Sequence, residues 1–284
     1  MKTKLLNLLD TKGDLPPLSD VLLNLENRVN DPNSDIEEIS GLIQTEPVLS
    51  GRLIKLSNSV LFGGGRDEVH DLREAIMRLG MKMVLDLAYT LELPNAFKKS
   101  KSFEHIQFWK HSLGVAYLSR SLAIHISSSK EDIEASYLSG LMHDVGILVF
   151  DYLIPDEYGK FIKTLGGDER TLGVLETEIF GISHSELGAE FIEKWWPVSE
   201  TVVKSVRKHH NPPPKKKIKP GIPRLVNWAN QIANNNGIQN GIPAYLRPID
   251  ERVFEILKLS QEDMTIIIDK TQEGVEAAEM ILKA

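Results

Sequence analysis

The sequence predicts an all-α protein. Apolar residues recur three and four positions apart along most of the chain, the spacing that places them on one face of a helix. Proline, glycine and capping residues interrupt these stretches at intervals that suit helices. No segment shows the alternation of apolar and polar residues that marks a strand. With 284 residues, 42% of them hydrophobic, the chain is long enough to bury a large core.

Five short helices are predicted between residues 15 and 94. The first four are delimited by proline, turn and capping residues: Leu15-Pro16-Pro17-Leu18 before the first, Asp31-Pro32-Asn33-Ser34 before the second, Pro47 in the first turn of the third, Gly63-Gly64-Gly65 as a flexible bend after it, and Asp71 as the cap of the fourth. We expect the fifth to run from Met81 to Leu93, because Pro94 restricts the residue that precedes it.

A second helical region is predicted from Phe103 onward. A long helix from Phe103 to Ile126 carries His111 on its apolar stripe. The capping box Ser128-Ser129-Lys130-Glu131 is predicted to start one helix that contains His143 and Asp144. The remaining predicted helices are one within 153–167, one that starts at the capping box Ser183-His184-Ser185-Glu186, one that starts at Pro197 and leads to His209 and His210, one around Leu225 to Ala233 with Asn230 on or beside its apolar face, and two in the 257–284 tail.

Composition excludes several classes of function. The chain has no cysteine, which excludes disulfides, thiolate nucleophiles and Cys-ligated zinc. A net charge of −7 argues against a broad nucleic-acid surface, and Lys215-Lys216-Lys217-Ile218-Lys219 lies between prolines that indicate a loop. No apolar run approaches the roughly 18 to 20 residues that span a bilayer. We therefore expect a cytoplasmic protein with neither nucleic acid nor membrane as a partner.

The adjacent pair His143 and Asp144 carries the strongest chemical signal. It lies in an otherwise apolar run from Ser139 to Phe150, where an unpaired charge would cost several kcal/mol. A metal ion would satisfy both side chains, since a neutral imidazole and a carboxylate are good ligands. For an isolated pair, a hydrogen bond from a buried histidine to a neighbour or to a backbone carbonyl is the alternative.

Five of the eight histidines are predicted on inward faces of four different helices. They are His111, His143, His184, His209 and His210. Each neutral imidazole brings one donor and one acceptor that a core must satisfy, and helical bundles build metal sites from facing helices. The sequence therefore favours a metal site over a purely structural helical protein, in which five inward histidines have no common cause. His70, His105 and His125 show no such relation and are assigned no role.

The order of these residues resembles the HD superfamily of metal-dependent phosphohydrolases, and the whole chain resembles, more narrowly, an HDOD protein, the HD-related output domain of bacterial signalling. The segments that carry this resemblance are Leu15-Pro16-Pro17-Leu18, Glu46-Pro47-Val48-Leu49 through Leu56-Ser57-Asn58-Ser59, and Arg73-Glu74-Ala75-Ile76-Met77-Arg78-Leu79-Gly80. The resemblance implies an HD-domain-like helical bundle over 99–236 and an additional N-terminal helical lobe over 13–98. Residues 237–284 would form a C-terminal helical extension packed on this domain.

The resemblance also implies a ligand set for one or two divalent transition-metal ions, Fe, Mn or Zn. His111, His143 and Asp144 would hold a first ion. Asp144 would bridge to a second ion, whose other ligands are His184, His209 and His210.

The chain departs from active relatives at three places. Those relatives complete the first ion with the Asp of an Ala-Asp pair, where this chain has Ala229-Asn230. The amide of Asn230 keeps a carbonyl oxygen as a ligand but lacks the charge that offsets a divalent cation, so the second site is expected to bind its ion better than the first. Relatives that hydrolyse cyclic dinucleotides also carry a Lys after the His-Asp pair and a Gly-Tyr-Pro segment after the paired histidines. Here those places hold Ile147 and Asn211-Pro212-Pro213-Pro214.

Two functions follow from this pattern. The one we favour is a bacterial signalling module that keeps a metal site, has no hydrolase activity and reaches other signalling proteins through its N-terminal lobe. It accounts for the three departures, because a phosphohydrolase must neutralise phosphate charge. The alternative is a metal-dependent phosphohydrolase that acts on a nucleotide or another phosphate ester. It accounts for the retained histidines.

Overall fold

A computed structural model of the chain describes residues 1–11, 18–59, 62, 68–97, 102–126, 128–212 and 220–282. Over these residues the secondary structure consists of α-helices, without a strand. The predicted all-α fold is therefore confirmed. Three predicted features, the Pro16-Pro17 break, the Gly63-Gly64-Gly65 bend and the lysine-rich stretch 215–219, lie outside the described residues.

The helices, in chain order, are α1 (Lys2–Thr11), α2 (Asp20–Val29), α3 (Ile36–Gln44), α4 (Pro47–Ser57), α5 (Leu72–Leu79), α6 (Met81–Ala96), α7 (His105–His125), α8 (Lys130–Met142), α9 (Val145–Leu153), α10 (Pro155–Ile162), α11 (Leu172–Phe180), α12 (His184–Trp195), α13 (Glu200–Lys208), α14 (Ile222–Asn235), α15 (Arg252–Leu257) and α16 (Gln261–Leu282).

The chain divides into two compact units. One contains residues 1–15 and 97–268, and the other contains 16–96 and 269–284. The five helices predicted for the N-terminal lobe are α2 to α6, all in the second of these units. The domain boundaries expected at 13, 98 and 236 stay a prediction.

In the smaller unit, α2 packs against α3 and α6, and α4 packs against α5 and α6. Asp71 caps α5 as predicted, because its side chain accepts a hydrogen bond from the backbone N–H of Glu74. The predicted end of α6 at Leu93 is wrong, since the helix continues through Pro94 to Ala96. Proline removes one backbone donor, but Leu93 and Pro94 are both buried, and that burial holds the last turn in helical form.

In the larger unit, α7 packs against α8 and α14 around an apolar core. Leu118 of α7, Trp228 of α14 and Val253 of α15 belong to this core. Gly140 allows the close approach of α7 and α8, because a Cβ there would lie 2.6 Å from the Cα of Ala116. Of these helices, α7 carries His111, α8 ends directly before His143, and α14 carries Asn230.

The prediction that His143 and Asp144 lie inside one helix is wrong, because the pair lies in a break between two helices. Helix α8 ends at Met142 and α9 begins at Val145, and Asp144 has φ −99° and ψ 9°. The N-cap of α8 is also one residue later than the predicted cap, Ser128. Ser129 is the cap, and its side chain accepts from the backbone N–H of Asp132 rather than of Glu131.

Two glycines bring α9 and α12 into backbone contact. A Cβ on Gly146 would overlap the carbonyl oxygen of His184, and a Cβ on Gly188 would lie 2.7 Å from the backbone nitrogen of Gly146. Side chains do not tolerate so close an approach, so only glycine fits at these two positions. The contact places His184 beside the break that carries Asp144.

No single helix among the described residues combines the length and the apolar character needed to cross a membrane. By length and composition alone, one bent pair, Lys130–Leu153 with Pro155–Ile162, passes that test.

Candidate metal centre

Four parts of the fold bring the predicted histidines to one place. His111 lies within α7, His143 and Asp144 lie at the break after α8, His184 is the first residue of α12, and His209 and His210 follow α13 directly. The predicted capping box at Ser183 is confirmed, since Ser183 and Glu186 exchange both hydrogen bonds and fix the first turn of α12. The predicted start of α13 at Pro197 is wrong, because Ser199 is extended and the helix begins at Glu200.

The ring nitrogen Nδ1 of three of these histidines donates to a backbone carbonyl. The pairs are His111 with Ile238 at 2.7 Å, His143 with Gly140 at 2.8 Å, and His209 with Val206 at 2.7 Å. Because a carbonyl oxygen only accepts, each Nδ1 carries the ring proton. The Nε2 of each neutral ring therefore presents a lone pair to the interior of the site.

These Nε2 atoms lie close together. Nε2 of His111 is 3.3 Å from Nε2 of His143, and Nε2 of His184 is 2.8 Å from Nε2 of His210. Nε2 of His209 is buried without a hydrogen-bond partner. The distance between His184 and His210 is that of an N–H···N hydrogen bond. The ring protons of His111 and His143 lie on Nδ1, so their facing Nε2 lone pairs repel each other unless a cation lies between them, and this arrangement suits a metal ion.

The carboxylate of Asp144 lies among the four nearest Nε2 atoms, with one oxygen on each side. Its Oδ2 is 3.3 Å from His143 and 3.8 Å from His111, while its Oδ1 is 3.4 Å from His184 and 3.6 Å from His209. Burial acts to raise the pKa of Asp144, but the surrounding imidazoles, that of His143 first, hold it well below the usual value. Asp144 is therefore an ionised carboxylate that faces both halves of the cluster.

Burial also sets the charge of three histidines. It lowers the pKa of His111 to about 4, with a further contribution from His143. It likewise lowers the pKa of His209 to about 4 and that of His210 well below its ordinary value. At neutral pH these rings are neutral imidazoles, the form in which histidine binds metals.

A glutamate that the sequence did not single out supports the site. Glu176 of α11 is fully buried, and its Oε2 accepts from the backbone N–H of His184 at 2.7 Å and from the ring Nδ1 of His184 at 2.6 Å. Its Oε1 accepts from the hydroxyl of Tyr158 at 2.6 Å. Burial acts to lower the pKa of His184, but Glu176 raises it. Carboxylates in this place orient a metal-binding histidine and raise its basicity.

The residues fit two adjoining ion sites that share Asp144. One group contains His111, His143 and Asp144, the other contains Asp144, His184, His209 and His210, and the donor atoms of each group lie within 4.8 Å of one another. Two nitrogens bound to one ion lie at most about 4.2 Å apart when each metal–nitrogen bond is about 2.1 Å. His70, His105 and His125 belong to neither group.

Asn230 lies near the cluster, but its side-chain oxygen accepts a hydrogen bond from outside the cluster. It lines the same cleft as Asp144, His184 and His210, and its Oδ1 accepts from the side-chain amide of Asn234 at 2.6 Å. The amide of Asn240, which the sequence analysis did not single out, donates to Asp144 Oδ2 at 3.0 Å. Nothing in the sequence pattern signals Asn240, because it lies in an irregular segment without periodicity.

A family model described as the HDOD domain matches residues 15–212. The match ends before Ala229-Asn230. A curated relative from Treponema pallidum (strain Nichols), named only as an uncharacterized protein, is 28% identical over 204 residues. That region is 72% of this chain and 39% of the relative, so the chain spans well under half of that protein's length.

Solved structures share the fold. An HDOD domain protein of unknown function from Geobacter sulfurreducens has a TM-score of 0.76 and 22% identity, over 99% of this chain and 98% of that one. A protein from Shewanella amazonensis SB2B named as a candidate phosphohydrolase gives the same values. A protein from Marinobacter aquaeolei VT8 named as a candidate signal transduction protein has a TM-score of 0.71 and 20% identity, over 95% of this chain and 60% of that one.

Proposed function

The chain belongs to the HDOD family, and from that membership and its histidine cluster we propose that it is a signalling module which holds a divalent transition-metal ion and does not hydrolyse a substrate. The first part of this proposal rests on metal binding, the second on the residues that surround the cluster.

The observation that carries the metal proposal is the convergence of imidazole Nε2 atoms on the carboxylate of Asp144. Nε2 of His143, His184 and His209 lie 3.3, 3.4 and 3.6 Å from its two oxygens, and among the described residues the buried Nε2 of His209 has no hydrogen-bond partner. His184, His209, His210 and Asp144 would hold the better-bound ion. Nitrogen-rich ligation favours Fe, Mn or Zn over Mg. A bound ion would supply positive charge and a Lewis acid at the base of the cleft.

Two features argue against hydrolysis. The side chain of Ile147, at the place where the Lys of active relatives stands, is fully buried and carries no charge. Asn230 brings an amide where those relatives have a carboxylate, so the ion held by His111 and His143 lacks one compensating charge. A phosphohydrolase stabilises developing charge with several cationic groups, and this chain has lost part of that set.

The module would act on other signalling proteins through the helices α2 to α6. Val48 of α4 and Met77 of α5 support this, since these large apolar side chains are 66% and 58% exposed. A contiguous exposed apolar patch marks a contact surface, so Val48 and Met77 are the positions at which substitution would test this contact. The proposal includes a cytoplasmic location and neither nucleic acid nor membrane as a partner.

A metal-dependent phosphohydrolase is the second candidate, and one observation favours it. A cleft reaches Asp144, His184 and His210 from solvent, so a phosphate ester could approach an ion held there. The name of the similar Shewanella protein points to the same chemistry.

Metal content and turnover separate the two candidates. Protein purified without a metal-affinity column and analysed by mass spectrometry for metals is expected to hold one to two equivalents of Fe, Mn or Zn. A panel of cyclic dinucleotides and nucleoside monophosphates is expected to give negligible hydrolysis. Turnover of about 1 s⁻¹ or faster, the lower end of typical enzyme rates, would establish the phosphohydrolase instead.

A further inference from the structure

The cleft beside the cluster contains one unpaired cation. Of the side chains that line it, Asp144 and Arg247 are charged, whereas most of the others are amides or apolar groups. Arg247 also lines a second cavity that shares Thr171 and His210 with the first. His210 and Arg247 thus lie where the two cavities adjoin.

The guanidinium of Arg247 has no acidic partner within the described part of the chain. Two other arginines of the same unit do have acidic partners. Arg170 pairs with Asp168 and Glu178. Arg207, which lines the second cavity, pairs with Glu190 and Glu193. The cation of Arg247 is therefore available to a ligand, since no protein carboxylate in this part neutralises it.

The segment that carries Arg247 is tied to the metal cluster. The carbonyl of Ile238 accepts from His111, and Asn240 donates to Asp144. Near the end of the segment the carbonyl of Arg247 accepts from the side chain of Asn235 at 3.3 Å. These bonds anchor the backbone of the segment, so Arg247 lines the cleft from a fixed position.

We propose that Arg247 makes this cleft a binding site for a phosphoryl group, with phosphate oxygens held between the guanidinium and the ion at His184 and His210. This inference rests on the proposed metal site. It assigns to Arg247 the cationic contact that is missing at Ile147. The planar guanidinium forms paired hydrogen bonds to phosphate. The negative charge of the phosphoryl group would be offset by the arginine together with the metal ion.

The amides of the cleft agree with an anionic ligand. The Oδ1 of Asn230 accepts a hydrogen bond from Asn234. The amide N–H groups of Asn230 are therefore left to donate to another acceptor. A carboxylate at position 230 would repel a phosphate. The substitution of amide for acid that weakens hydrolysis thus favours retention of a phosphorylated ligand, as a sensor of such a ligand requires.

Equilibrium dialysis of inorganic phosphate against the metal-loaded full-length protein tests the inference. The native protein is expected to bind phosphate at sub-millimolar concentration, and Arg247→Ala to weaken binding about tenfold or more, the loss expected for a charged hydrogen bond. Arg247→Lys keeps the charge without the paired geometry and is expected to fall between the two. Lys163→Ala is the matched control, because Lys163 is exposed and lines neither cavity.

Metal content measured on the same samples separates the two proposals. Phosphate binding by Arg247→Ala that equals that of the native protein, with the ions still bound, would overturn the role of Arg247 and leave the metal site intact. Failure of the metal-loaded native protein to bind phosphate would overturn the phosphoryl site. A native protein that takes up no ion from added Mn, Fe or Zn would instead overturn the proposed function.

Discussion

Glu176 and His184 form a buried hydrogen-bonded pair in which the ring Nδ1–H of the histidine donates to the carboxylate at 2.6 Å. The same carboxylate oxygen accepts the backbone N–H of His184, and the other oxygen accepts from Tyr158. The pair fixes the ring of His184 so that Nε2 faces Asp144 and His210. Its removal should therefore affect metal binding more than it affects the fold.

We expect Glu176→Gln to weaken metal binding about tenfold to a hundredfold, the range for loss of a carboxylate behind a metal-binding histidine. Glutamine keeps the volume but has one acceptor oxygen, whereas the two oxygens of Glu176 accept from Tyr158 and from two N–H groups of His184. The amide NH₂ of glutamine would face one of these donors. Metal affinity is measured by competition with a chelator. Glu178→Gln is the control, since Glu178 is exposed on the same helix. Equal affinities for both variants would contradict this role of Glu176.

Replacement by alanine is expected to change the free energy of unfolding in opposite directions at two glycines, one in the contact between α9 and α12 and one in α4. Gly146→Ala should destabilise the protein by about 3 kcal/mol or more, because the added methyl overlaps the backbone of His184 and overpacking cannot be relieved by a rotamer change. Gly51→Ala should stabilise it by about 0.5 to 1 kcal/mol, since Gly51 lies inside α4 with nothing within 4 Å of a Cβ.

Urea denaturation of both variants gives these two values. Gly146→Ala should also lose bound metal, because His184 moves with the start of α12. The close contact is disproved if Gly146→Ala matches the native protein in both stability and metal content.

In the smaller unit, the buried hydroxyl of Tyr89 donates to the carboxylate of Glu26 at 2.9 Å. Burial, together with the charge of Glu26, raises the pKa of Tyr89, so the tyrosine stays neutral. Tyr89→Phe should cost about 1 to 3 kcal/mol, the range for a buried acceptor left without its donor. Tyr245→Phe is the matched control, because Tyr245 is exposed and should change stability by less than about 0.5 kcal/mol. A loss as small for Tyr89 as for Tyr245 would show that the hydrogen bond contributes little.

The helices and the histidine cluster were predictable because both follow from periodicity. His111 continues an apolar stripe, and the Ser183 cap fixed the place of His184. Glu176 could have been found in the same way, since it lies among the buried positions of α11, Leu172, Leu175 and Phe180. An acidic residue on an apolar face demands a partner.

The parts that the sequence could not give depend on tertiary contacts. The break at His143 and Asp144 lies in an otherwise apolar run without a proline, and its glycines, Gly140 and Gly146, serve close contacts with α7 and α12 that the sequence does not show. Pro94 is tolerated in α6 because the last turn is buried. Asn240 and Arg247 lie in irregular backbone whose path is set by bonds to His111, Asp144 and Asn235.

Asn230→Asp tests the difference between a degraded hydrolase and a signalling module. An acid at position 230 would add a negative charge beside Asp144 and should raise metal content toward two ions per chain, because the ion at His111 and His143 gains charge compensation. Metal analysis of the purified variant measures this. Gln239→Glu, which adds the same charge at an exposed position outside the cleft, should leave the metal content unchanged.

Activity should not follow the added ion. Ile147 still provides no cation, and the new carboxylate opposes a phosphate near Arg247, so the variant is expected to show at most a trace of hydrolysis of cyclic dinucleotides or nucleoside monophosphates. Phosphate binding should fall in the same variant, since a negative charge replaces an amide donor. If Asn230→Asp instead turns over such a substrate at about 1 s⁻¹, position 230 alone separates this chain from an active hydrolase, and the effect assigned to Ile147 is wrong. Turnover at that rate by the native protein would refute the signalling proposal.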